Sequence, residues 1–96
     1  MKFNVDITIK SADEKVKKLL KYVIEFTRVD GDYGNGYHMS VSNRDSNILM
    51  NCFDIRYDKN FDPSMPEVFI AMWAYNNWSG QRGSYDIDEM RIKHIK

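Results

Sequence analysis

The sequence predicts an α+β domain, with one helix packed on a mainly antiparallel sheet of about five strands in the order β-α-β-β-β-β. Three observations lead there. Residues 2–10 alternate apolar Phe3, Val5, Ile7 and Ile9 with polar Lys2, Asn4, Asp6, Thr8 and Lys10, the period of a half-buried strand. Ser11 to Glu14, "SADE", has the spacing of a capping box, and apolar residues follow it at helical intervals. Beyond Asp30 the chain breaks into short apolar runs separated by turns rich in Gly, Asn, Asp and Pro.

The first strand follows directly from the opening alternation. A helix is expected from Ala12, because Val16, Leu19, Leu20, Val23 and Thr27, with Ile24 beside them, recur at helical spacing. Lys15, Lys17, Lys18, Lys21 and Glu25 then form its solvated side. The same residues admit a second reading in which "YVIEFTRV" is a strand, since Val23, Glu25 and Thr27 alternate with Ile24, Phe26 and Arg28. The agreement of cap and period favours the helix. "DGDYGNG", Asp30 to Gly36, is a loop, and "YHMSVSN" after it is strand two. "ILMNCFDIRY", Ile48 to Tyr57, has mixed parities and is expected as a central strand three, with Cys52 buried and unreactive. "DKNFDPSMPE" holds both prolines and is a loop. "EVFIAMWAYNNWSG", Glu67 to Gly80, is apolar on both parities and is expected as strand four. After the turn "NNWSGQRGS", the final strand "YDIDEMRIKHI" shifts phase between Tyr85 and Ile87 on one side and Met90 and Ile92 on the other, which predicts a bulge near Asp88.

Ninety-six residues make a single domain spanning the chain, large enough for one core without disulfides or metals. Lys plus Arg equal Asp plus Glu at 14 each, which removes the bulk basic excess expected of a nucleic-acid binder and the acidic excess of a DNA mimic. A lone cysteine, with no secretory signal and no bilayer-length apolar run, predicts a cytoplasmic protein without membrane association.

Candidate chemistry is sparse. Read as a calcium loop, Asp30, Asp32 and Asn35 fail in register, because Asn35 falls where glycine is needed and Val41 where the bidentate glutamate belongs. No lysine followed by Ser or Thr makes the loop a phosphate cradle. His38, Cys52 and His94 match no zinc spacing, so neither metal nor cofactor is expected. A histidine pair acting as acid and base, or Cys52 with a histidine, defines a small His-dependent enzyme as one alternative. Phe69, Trp73 and Tyr75 on one parity, with Trp78 and Arg82 just beyond, define another, a sheet that stacks single-stranded nucleic acid. Against it, Asp54, Asp58, Asp62, Asp86, Asp88 and Glu89 crowd the neighbouring segments.

One helix covers one face of a sheet, so the second face of an all-apolar strand four needs another cover. The expectation is therefore a small non-catalytic protein-binding module. Its aromatic sheet face of Phe69, Trp73, Tyr75, Trp78 and Arg82 would meet a protein target or a second copy in a homodimer. Richness in Asn, Lys, Asp and Tyr resembles the composition of proteins from AT-rich bacteria and their phages. That resemblance gives the expectation a concrete form, a phage or mobile-element accessory protein that inhibits a host protein, for example one of a defence system.

Overall fold

The structure, a computed structural model, describes residues 1–79 and 85–95. Its elements run β1 (Lys2–Ser11), β2 (Lys17–Val29), β3 (Gly36–Asn43), β4 (Leu49–Asp54), α1 (Pro66–Trp78) and β5 (Tyr85–Ile95). All five strands form one antiparallel sheet in the order β4-β3-β2-β1-β5. The fold is thus α+β with one helix on a five-stranded sheet, but the sequence order is β-β-β-β-α-β, and the helix and one strand exchange the places predicted for them.

β1 is as expected, with Phe3, Val5, Ile7 and Ile9 at 1% exposure or less. Where a helix was predicted, the chain instead forms a hairpin. Ser11 N donates to Val16 O at 2.9 Å, Glu14 takes φ of 60°, and the Ser11 hydroxyl accepts from Val16 N at 3.1 Å. The capping-box residues therefore close a turn. Glu14 reaches back to Lys10 at 3.2 Å rather than to a helix terminus. In β2 the decisive parity is Tyr22, Ile24 and Phe26, all buried, with Tyr22 opposite Val5, Ile24 between Phe3 and Val41, and Phe26 opposite Met39. The strand reading of this segment is the correct one.

β3 adds Met39 and Val41 to the core. β4 is an edge strand, not a central one, and shorter than expected. Its mixed parity has a local cause, because the register against β3 slips so that Asn51 faces Val41 while Leu49 faces Ser42. Met50 absorbs the extra residue, and Cys52 lies exposed on the solvent side beside Ser40. The predicted burial of Cys52 is corrected accordingly. Two glycines of the 30–36 loop serve packing. Gly34 holds φ of 106° with the Tyr57 hydroxyl 2.6 Å from where a Cβ would stand, and a Cβ on Gly36 would lie 2.9 Å from Arg56 Cα.

β4 and β5 run in the same direction at opposite edges of the sheet, so the chain must return along the sheet between them. The segment expected as strand four makes that return as α1. Pro66 sits at its first turn, where a missing N–H costs nothing, and Glu67 in the same turn suits the positive end of the helix dipole. Pro66, Ile70 and Ala74 repeat every four residues and are buried, so one side of the helix faces the sheet. At the far end Ser79 N donates to Tyr75 O at 2.8 Å, satisfying one terminal carbonyl, and the Asn77 side-chain amide donates to Trp73 O at 2.8 Å.

The bulge predicted near Asp88 is present. Thr8 faces Glu89 while Ile9 faces Ile87, so Asp88 is the extra residue. This lets Ile92, Met90, Ile87 and Tyr85 all pack toward the core despite their change of phase. Asp88 is pinned by Lys17 at 3.0 Å and Lys10 at 3.6 Å, and these cations, Lys17 foremost, hold its carboxyl below its ordinary range.

Phe26 is the packing hub. Its ring stacks on Phe61 at 4.9 Å and meets Phe3 and Phe69 edge-on at 6.0 and 6.4 Å, joining sheet, loop and helix. Truncating Phe26 to alanine should cost about 3–5 kcal/mol. Urea unfolding followed by circular dichroism measures it, and a loss below about 1 kcal/mol would contradict the placement of Phe26 at this junction.

Candidate functional site

Helical geometry redistributes the residues grouped by strand parity. Trp73 and Tyr75 lie two positions apart, about 200° around a helix, and therefore point in opposite directions. Trp73 packs edge-on against Tyr22 at 5.5 Å. Phe69 meets Phe61 and Phe26, and Trp78 meets Tyr85 at 6.4 Å. Phe69, Trp73 and Trp78 are thus partly buried against the core, and only Tyr75 stands out in solvent. Arg82 lies outside the described residues. These aromatics belong to a helix, so the aromatic sheet face expected from strand parity is not formed.

The outward side of α1 is apolar as well. Met65, Val68, Met72 and Tyr75 are 53, 53, 38 and 58% exposed. Their 3-4-3 spacing draws a continuous stripe, the arrangement of the seam along which two helices pack. Glu67 is the only charged residue of the helix. A helix apolar on both sides ordinarily has a neighbour on both sides.

Beside this stripe runs a groove of about 660 Å³, between α1 and the β4 edge. Phe53 and Asn51 of β4 form one wall, and Phe69, Met72, Trp73, Asn76 and Asn77 of α1 form the other. Met39 lines it from β3, while Ile55, Asp58 and Asn60 line it from the following loop. Its lining combines aromatic and thioether surface with carboxamides and Asp58, and among the described residues it has no cationic side chain. The Trp73 and Trp78 indole N–H groups are buried and meet no acceptor among the described residues. Burial raises the phenol pKa of Tyr22.

The outer face of the β3–β4 pair gathers the reactive side chains. His38 faces Asp54 and Ser40 faces Cys52 across the ladder, so a histidine, a thiol and a carboxylate share one patch. Sequence reasoning missed this grouping because it required the register of an edge strand. The carboxylate does not orient the histidine as it would orient a general base. His38 Nε2 lies 3.7 Å from Asp54, beyond hydrogen-bond distance, and the carboxylate is held instead by the Arg56 fork at 2.6 to 3.1 Å. The groove itself opens beside Phe53 and Asn51 rather than beside Cys52 and His38. His94 is on the core-facing side of β5, stacked on Phe3 at 4.8 Å, whereas His38 is on the opposite face of β3 with two strands between them. The two histidines therefore lie on opposite faces of the sheet and are not brought together.

Among the described residues, no three His, Cys, Asp or Glu side chains converge as a metal site, and no helix is long and apolar enough to cross a membrane. Comparison of the chain with protein-family models, curated proteins and solved structures gives no match in any of the three.

The Arg56 fork makes a pH prediction. Its hydrogen bonds, with those of the Arg56 backbone, lower the Asp54 carboxyl to about 2. A carboxyl depressed on folding contributes stability above its unfolded value near 4, and that contribution is lost as pH falls through about 2. Carbon-detected NMR titration of the Asp54 side chain should show the low midpoint in the wild type and a return toward 4 in Arg56→Ala. Equal midpoints in the two proteins would contradict the fork.

Proposed function

We propose that this chain is a small non-catalytic protein-binding module that works through the outward stripe of α1 and the groove beside it. The observation that carries this reading is the second apolar side of α1. Met65, Val68, Met72 and Tyr75 lie at the spacing of a helix-packing seam and are left exposed by the described residues. Met and Tyr are residue types favoured in interface cores, and the groove adds Phe53 with several carboxamides that can bind a partner's backbone.

The single-stranded nucleic-acid reading loses its platform, since Phe69, Trp73 and Trp78 turn inward on a helix and the described groove lining includes Asp58 and no cation. The enzyme reading loses its paired histidines. The composition suits an accessory protein of a phage or mobile element that occupies a surface of a host protein, and inhibition by occupancy needs no catalytic group.

The test begins with a photoreactive amino acid at Met65, in the stripe, to identify the partner by crosslinking in cells. Binding of the purified partner is then titrated with Met72→Glu, Val68→Glu and, as a control on the outer sheet face, Thr27→Glu. The stripe variants should weaken binding about tenfold or more with unchanged melting midpoints, while Thr27→Glu binds like the wild type. Undiminished binding by both stripe variants would refute the reading.

A further inference from the structure

The two edges of the sheet are built differently. Along β5 the free edge carries Asp86, Asp88, Glu89, Arg91 and Lys93 and a bulge at Asp88, the devices by which an edge strand resists pairing. β4 has almost none of them. Its run Leu49-Met50-Asn51-Cys52-Phe53 contains no charge and no proline, only the slip at Met50, and its first charged residue is Asp54. Ile55 N donates to Tyr37 O, so by the alternation of an antiparallel ladder the N–H and C=O groups of Cys52 and Asp54 point away from β3 and lack strand partners.

We propose that β4 pairs antiparallel with β4 of a second copy, giving a closed dimer with one ten-stranded sheet. Three features select a second copy. Pairing β4 to β5 would propagate without closure and would meet the charged, bulged edge, whereas β4 to β4 is self-complementary and closes at two subunits. The chain has no net charge to oppose self-association. Ile48, Leu49, Met50, Phe53 and Tyr57 are all exposed about this edge. Pairing along the edge would withdraw part of this apolar surface from water together with the unpaired backbone, an interface at the small end of the dimer range.

The faces fix the symmetry. Phe53 lies on the apolar side and Cys52 on the polar side, so like faces align only when the dyad stands normal to the sheet and residues of equal parity meet. Cys52 opposite Cys52 satisfies this, uses the outward N–H and C=O groups, and brings the two α carbons to about 5.5 Å, within disulfide range. Both α1 helices then lie on the same side of the sheet, and the two grooves join into one trench floored by β4 from each copy. The dimer stands on the edge and not on the α1 stripe, so it holds or fails separately from the protein-binding reading.

Sedimentation equilibrium of the reduced protein at about 100 μM should give twice the 11.4 kDa chain mass. Cys52→Lys, which sets two cations face to face on an exposed position, should sediment as a monomer with an unchanged circular dichroism spectrum. Cys52→Ser should remain a dimer, and mild oxidation should crosslink only proteins that retain Cys52. A monomeric wild type would overturn the proposal, as would a Cys52→Lys variant that stays dimeric. Dissociation by Met72→Glu but not by Cys52→Lys would place the contact on α1 instead and equally overturn it.

Discussion

The fold depends on a shortage of cover. Every buried strand residue lies on one face of one sheet, and the cover available is a single 13-residue helix and the loop before it. Five strands spaced about 4.8 Å apart make a surface roughly twice as wide as the 10–12 Å of a helix. α1 and the loop residues Ile55 and Phe61 close the middle through Ile70, Ala74 and the Phe61–Phe26–Phe69 cluster. What remains is the margin over β4, and there the groove opens with Phe53 half-covered and Met72 on its opposite wall.

The same shortage explains why a helix with a single charge sits at the surface. Its inner side is consumed by the core, and its outer side would normally be polar. In this chain charge is concentrated elsewhere, on the outer sheet face and the β5 edge, where Asp6 pairs with Arg44, Glu89 with Arg91, and Asp88 with Lys10 and Lys17. The surfaces of α1 and β4 have few charges and much apolar area, while the outer sheet face and the β5 edge carry ion pairs. That asymmetry underlies the assignment of binding to one side of the protein.

Much of this architecture was legible in the sequence, and the failures have physical causes. β1, β3 and the bulged β5 declare themselves through parity, because one face of each is wetted and the alternation is not diluted. In 17–29, Leu19 and Val23 lie on the wetted face, and these extra apolar residues created a false helical period beside a genuine alternation of Tyr22, Ile24 and Phe26. In 66–78 the converse holds. A helix apolar on both sides shows no period of either kind, and Val68, Phe69, Ile70 and Trp73 favour strands by local propensity. Pro66 at its first turn and the four-residue repeat Pro66, Ile70, Ala74 were the signals that distinguish it. The candidate site inherited the error: Trp73 and Tyr75 share a face only in a strand, and Cys52 is central only without the slip at Met50. The stripe of Met65, Val68, Met72 and Tyr75 becomes visible once the segment is read at 3.6 residues per turn.

The central claim is that residues 66–78 are a helix whose inner aromatics rest on β2 while its outer stripe is left exposed by the described residues. Nuclear Overhauser spectroscopy of the isotope-labelled protein tests it most directly. The account predicts sequential amide–amide contacts throughout 66–78, ring contacts from Trp73 to Tyr22 and from Phe69 to Phe26, and no intramolecular contact from Val68 or Tyr75 to the sheet. Cross-strand α-proton contacts from this segment to another strand, with Tyr75 on the same face as Trp73, would contradict it.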